Sequence, residues 1–516
     1  MSTTFNNAVG PQVRAPQSKP DLVIPFLACA SLVVGLQSAT QYFAHTFQYQ
    51  AVLGEPLGAL YQPWAILEWA WRWTHDYPLQ LRQAGGVGMI VAASGLLCLA
   101  IARTVQASRP RPNPFLHGSA RWANRDDLEA ATLLPRARTF VDWFNGSPHQ
   151  PADGVYVGGW VDAKGTLHYL RHSGPEHVLT YAPTRSGKGV GLVIPTLLSW
   201  PHSALIADLK GELWELTAGW RQQHAQNRVL RFEPAAAQGT VRWNPLDEVR
   251  LGTEHEVADV QNLATILVDP DGRGLESHWQ KTSQALLVGV MLHALYKARQ
   301  DGTTTSLPAV DRMLADPQRP IAELWKEMTT YSHVNGQVHP VVGAAARDMM
   351  DRPEEEAGSV LSSAKSYLAL YRDPLVAHNV SASEFKIRDL MHHTNPVSLY
   401  LVTKPNDKAR LRPLIRVFVA MALRLLTDTI AVHRETVPPS GFMRLLERLG
   451  VRSASPQLTT KPAYAHRLLG MLDEFPSLGK LEIFQESLAF MAGYGLKFYL
   501  ICQDINQLRS RETGYG

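Results

Sequence analysis

The 516 residues include only three cysteines, Cys29, Cys98 and Cys502, each inside an apolar run and none in C-x-x-C spacing. This excludes a disulfide framework and a cysteine zinc site, and it reads the three as small buried hydrophobes. Charge of one sign is scarce too, since 50 Lys and Arg stand against 46 Asp and Glu for a net +4. So mild a balance is compatible with nucleic-acid binding without diagnosing it. No internal repeat or low-complexity tract stands out, so a repeat architecture is excluded. The length allows two or three domains, each with its own core.

Two long uncharged runs are present, Leu22 to Phe43 and Gly85 to Ala102. Each has the length of a bilayer-crossing helix. Gln37, Thr40 and Gln41 weaken the first, for which an uncleaved signal sequence is the alternative. Arg14 and Lys19 precede the first run, and Arg103, Arg109 and Arg111 follow the second. The segment between them carries only Arg72 and Arg82 against Glu55, Glu68 and Asp76, so the basic bias predicts both termini in the cytoplasm. Trp64, Trp69, Trp71, Trp73 and Tyr77 crowd that segment, as expected at headgroup level or on a partner-docking face.

SRPRPNPFLHG, Ser108 to Gly118, is a proline-rich tether. GVYVGGW and TLHYLRH flank turn residues and predict a hairpin. VLTYAP, SALIAD, VLRFEP, VSLYLVT, LLGMLDE and KFYLICQD then alternate with helical patterns, the signature of an α/β fold with a parallel, doubly wound sheet. From Glu256 to Leu390 the spacing is helical, which predicts an all-helical domain inserted into the sheet domain. The expected division is a membrane anchor at 1–105, a nucleotide-binding domain in two parts at 106–255 and 391–516, and the helical insertion at 256–390.

YAPTRSGKGVG follows the run VLTY. Against G-x-x-x-x-G-K-[ST], it has Ala182 at the first glycine and Gly189 at the hydroxyl position, with Pro183, Thr184, Arg185, Ser186, Gly187 and Lys188 between them and Val190 next. Strand, glycine loop, lysine and helix start are the parts of a polyphosphate site, in which Lys188 reaches the β- and γ-phosphates. A plain strand-to-helix turn is the alternative. Asp473 and Glu474 end another apolar run, which sheet topology can bring beside the loop. There Asp473 would orient magnesium and Glu474 would polarise an attacking water. Gln503 ends the next run with an amide able to sense a γ-phosphate, or simply buried at a strand end.

APTRSGKGVG, IADLKGELW, RWNPLD, LDEFPSLG and QDINQL, preceded by HGSARWA at His117 to Ala123, strongly resemble the coupling proteins of bacterial type IV secretion and conjugation, the TraG/TraD type. The resemblance implies an inner-membrane ATPase using ATP and Mg, with a RecA-like P-loop domain and an all-helical domain. It implies a homo-hexamer that passes single-stranded DNA and its relaxase to the type IV secretion channel. Glycine at position 189 is common in that family. Some relatives carry an arginine finger before the last strand, where this chain has Met491, Ala492, Gly493 and Tyr494, so Arg410, Arg412 and Arg416 become candidates against a solvated face. Relatives continue beyond QDINQL, so the resemblance reads the end at Gly516 as a truncation leaving a possible unpaired sheet edge. An FtsK-type DNA pump would add a long linker and a sequence-reading domain, and an inactive membrane scaffold would not need the three-part site.

Overall fold

The computed structural model describes residues 23–56, 60–108, 122–134, 154–428, 432–437, 457–462, 464–510 and 515. The proline-rich tether and most of HGSARWA lie outside these residues. The chain forms two compact units, up to Trp122 and from Ala123.

In the first unit, helices Val23–Thr46 and Pro78–Ser108 run alongside each other, joined through the shorter helix Ala65–Trp73. Within the two long helices, Pro25–Thr46 and Pro78–Thr104 are long and apolar enough to cross a membrane. They pack closely through small residues, and a Cβ on Gly35 would come within 2.7 Å of Ala92. Phe43, Tyr61, Ile66 and Trp69 form a small core where the short helix meets the long ones.

The second unit is built on six parallel strands: β3 (Val178–Tyr181), β4 (Ser203–Asp208), β5 (Arg228–Phe232), β6 (Val397–Val402), β9 (Leu468–Leu472) and β10 (Leu496–Cys502). They lie in the order β3-β10-β9-β4-β6-β5. The four inner strands are buried on both faces, which is why they read as unbroken apolar runs rather than alternating ones. On one face Ala204, Ile206, Met471 and Ile501 pack against Leu197, Leu213 and Ala218 of the helices after β3 and β4. On the other, Leu205, Leu399 and Leu472 meet Leu414 and Phe418 of helix Lys408–Leu426. Two antiparallel hairpins accompany the sheet, β1 (Val155–Val161) with β2 (Leu167–His172) and β7 (Val432–Val437) with β8 (Gln457–Pro462).

The last strand, β10, lies inside the sheet between β3 and β9, so the free edges belong to β3 and β5. From Glu256 to His392 the described elements are helices, the longest being His278–Gln300. Ser277 caps that helix, its hydroxyl accepting from the Gln280 N–H at 3.1 Å while its own N–H donates to the Gln280 side chain at 3.0 Å. These helices share one apolar core with the sheet face that carries Leu399 and Leu472.

Candidate nucleotide-binding site

The site forms where β3, β10, β9 and β4 end together at the carboxyl edge of the sheet. The Ala182 N–H donates to the Cys502 carbonyl at 2.9 Å, extending the pairing of β3 with β10 by one residue. The chain then turns through Arg185 and Gly187, which hold φ of 62° and 82°. Ala182 is not among the left-handed residues, so the missing first glycine costs this loop no backbone strain. Gly187 is where the turn needs glycine. A Cβ on Gly189 would meet nothing within 4 Å, so a side chain there has room. Gly189–Val193 forms a π-helical turn that passes into helix Ile194–Ser199, with Pro195 in its first turn.

One strand separates the loop strand β3 from the carboxylate strand β9. Two strand spacings are about 10 Å, a gap that the long side chain of Lys188 helps to close. Its ammonium lies 3.7 Å from Asp473 Oδ1 and 3.8 Å from Glu474 Oε1. These are ion-pair distances longer than a hydrogen bond. Gln503, at the end of the intervening β10, donates its side-chain N–H to Glu474 Oε1. Glu474 itself sits at φ 66°, a left-handed conformation uncommon for a residue with a Cβ. Lys188, Asp473, Glu474 and Gln503 thus meet at one point, with the Ala182–Val190 loop beside them.

Burial pushes the Asp473 carboxyl above its ordinary range; Lys188 opposes the shift, and Glu474 and Asp208 add to it. Asp473 Oδ1 is buried without a hydrogen-bond partner. An orphaned carboxylate oxygen beside a phosphate cradle fits magnesium, which binds through one or two carboxylates plus substrate oxygens. Among the described residues no group of three or more His, Cys, Asp or Glu is placed to hold a metal ion by itself. Burial also lifts the Cys502 thiol to about 11, leaving it a protonated wall of the site.

Sequence reasoning missed Asp208, which ends β4 beside β9 and is 2% exposed. Its carboxylate accepts from the N–H groups of Gly211 and Trp214, both at 2.8 Å, and so fixes the turn into helix Glu212–Gln223. The available signal was the same as for Asp473, a carboxylate closing an apolar strand. The three candidate arginines are engaged elsewhere. Arg410 pairs with Asp407 and Asp373, and Arg412 reaches Asp271 at 3.2 Å. Arg416 is buried, donating to the carbonyls of Leu478 and Lys480 at 3.0 and 2.6 Å. It is neither a solvated-face residue nor free to act as a finger.

The family model described as "Type IV secretory system Conjugative DNA transfer" matches residues 121–447 and 440–516. A conjugal transfer protein TraG of Escherichia coli is 64% identical over 511 residues, covering 99% of this chain and 77% of that protein. Protein VirD4 of Agrobacterium fabrum (strain C58) is 26% identical over 508 residues, covering 96% of this chain and 64% of its own length. Among solved structures, the plasmid coupling protein TrwB in complex with the ATP analogue ADPNP aligns with a TM-score of 0.45 at 19% identity, covering 66% of this chain and 67% of that one.

Proposed function

The chain belongs to the type IV secretory system conjugative DNA transfer family, and from that premise we propose that the site at the ends of β3, β9 and β10 binds ATP and hydrolyses it to drive transfer. Its role is that of a coupling protein in conjugative DNA transfer. The observation that supports the ATPase reading best is the convergence of Lys188 on Asp473 and Glu474, 3.7 and 3.8 Å away, with the Gln503 amide on Glu474.

In this reading the backbone N–H groups of the loop that follows Pro183, up to Val190, cradle the phosphates. Lys188 leaves the carboxylates to pair with the β- and γ-phosphates. Asp473, whose Oδ1 accepts no hydrogen bond, would hold magnesium once Lys188 has moved to the phosphates. When bound, magnesium neutralises charge on the phosphate oxygens. Glu474 orients and polarises the attacking water, and Gln503 ties Glu474 to the end of the neighbouring strand.

The energy would move single-stranded DNA with its relaxase, or protein substrates, to a type IV secretion channel. The 256–390 helices act as the inserted domain of a homo-hexamer. The two apolar helices anchor the chain in the inner membrane with both termini cytoplasmic, supported by the basic residues flanking them.

Phosphate release by the detergent-purified chain, with and without single-stranded DNA, tests the motor. Turnover raised by DNA is expected, and absence of any nucleotide binding would overturn the reading. A periplasm-dependent reporter should be active when fused near Trp64 and silent after Arg111, and the reverse pattern would remove the cytoplasmic motor.

A further inference from the structure

The polar residues that weaken the first span have an unexpected set of partners. Gln37 and Gln41 both donate to the Tyr61 carbonyl, at 3.0 and 3.3 Å, and the Thr40 hydroxyl donates to the Pro63 carbonyl at 2.8 Å. The connecting segment therefore folds back along the helix it has just left. Gln41 and Gln37 lie five and nine residues before Thr46, about 7 and 13 Å below that end of the helix at about 1.5 Å per residue. Irregular backbone at such a depth persists in a bilayer only when its polar groups find partners within the protein. The three side chains meet that requirement for Tyr61 and Pro63.

The helix that follows, Ala65–Trp73, is apolar on two opposite faces. Ile66 and Trp69 face inward, with Trp69 in ring contact with Phe43 and Tyr61 at 5.6 and 5.1 Å between centroids. Trp64, Leu67 and Trp71 form the other stripe, at positions three and seven apart, and are 60%, 60% and 88% exposed. Such a face is unfavourable in water. The two spans also expose apolar residues, among them Val33, Val34, Ile90 and Leu97. Glu68 and Arg72, on the flank, neutralise each other at 2.6 Å. Electrostatic attraction to an anionic surface is thus not the driving force.

We propose that the segment from Leu60 to Trp73 is a re-entrant hook set into the outer leaflet, with Trp64, Leu67 and Trp71 against phospholipid acyl chains. The proposal rests on the reading of the two long helices as membrane spans. Gln37, Thr40 and Gln41 are then the latch that holds the hook at depth.

The test uses the full chain in phosphatidylcholine nanodiscs, carrying Cys29→Ser and Cys98→Ser and keeping the buried Cys502. Nitroxide labels are placed singly at Leu67→Cys, Trp71→Cys, the span position Leu97→Cys and the loop position Glu55→Cys. Collisions with oxygen are expected to dominate at 67 and 71 as at 97, and collisions with a water-soluble nickel chelate at 55, whatever the salt concentration. In the Gln37→Leu, Thr40→Val, Gln41→Leu background, the label at 67 should shift toward the nickel chelate while the label at 97 stays unchanged. Nickel access at 67 and 71 equal to that at 55, with 97 still lipid-exposed, overturns the hook alone. Immobile labels at 67 and 71 shielded from both quenchers mean a protein partner or a second copy, and also overturn it. Nickel access at 97 removes the span reading, and the hook with it.

Discussion

Replacing Lys188 by Ala removes one ammonium from between two carboxylates, and the consequence for ATP can be sized from the geometry. At 3.7 and 3.8 Å each pair is worth about 4 kcal/mol before desolvation, at an effective dielectric of about 20. Solvent screening is modest, because the side chains of Lys188, Asp473 and Glu474 are 14%, 29% and 25% exposed. In the wild type this ammonium exchanges carboxylate oxygens for phosphate oxygens. In Lys188→Ala the incoming phosphates meet two uncompensated carboxylates. Truncating one partner of such a desolvated charge pair costs about 3 kcal/mol, or about 100-fold in Kd. The measurement is a titration of the solubilised chain with a fluorescent ATP analogue in the presence of magnesium. The nucleotide-free variant should also lose more thermal stability at high pH than at low. Asp473 takes up a proton more readily in the fold than in the unfolded chain, so its contribution is present at low pH and lost as pH rises through its raised value. Equal affinities in wild type and Lys188→Ala, with no hydrolysis in either, would mean the loop is a strand-to-helix turn and nothing more.

Glu474→Gln keeps shape and the contact with Gln503 but removes the base, so ATP should still bind while phosphate release falls by about two to four orders of magnitude. Unchanged release would move the base elsewhere. Gly189→Ser adds the hydroxyl of the standard loop into open space, so folding should be unaffected and turnover kept within about tenfold. A large drop in melting temperature would contradict that geometry. A third expectation concerns His293, which burial holds down at about 4, with His333 and Lys297 acting in the same direction and Glu327 opposing. Its depressed value adds stability above pH 6.5 that is lost as pH falls through about 4. His293→Phe should flatten the melting temperature across that range, and an unchanged acid profile would assign the loss to other groups.

The sheet was legible because β4, β6, β9 and β10 are buried on both faces and so appear as short unbroken apolar runs. The position of the Ala182–Val190 loop and of the Asp473–Glu474 pair was legible for a related reason, since each follows such a run. Strand order was not. The placement of β10 between β3 and β9 depends on pairing Tyr499 with Val178, more than three hundred residues away, and no local pattern encodes it. Arg416 misled for the same cause: its spacing with Arg410 and Arg412 is helical, but the carbonyls that bury it come from Leu478 and Lys480. Gln37, Thr40 and Gln41 counted against the first span because their partners at Tyr61 and Pro63 lie 20 to 24 residues away.

The position of β10 also accounts for the wiring of the site. A strand set between the loop strand and the carboxylate strand ends between the lysine and the base, and Gln503 is the residue at that end. The Gln503 amide carries two N–H groups, so one can stay on Glu474 while the other remains for a second acceptor. In the proposed ATPase a γ-phosphate held by Lys188 would compete for one of the two bonds that now hold Glu474, the one from Lys188, while the one from Gln503 can stay. Glu474 keeps its left-handed backbone with those bonds in place. On that proposal, loss of the Lys188 contact would leave the Glu474 carboxylate freer to meet water, so that Lys188 would link occupancy of the loop to the freedom of Glu474.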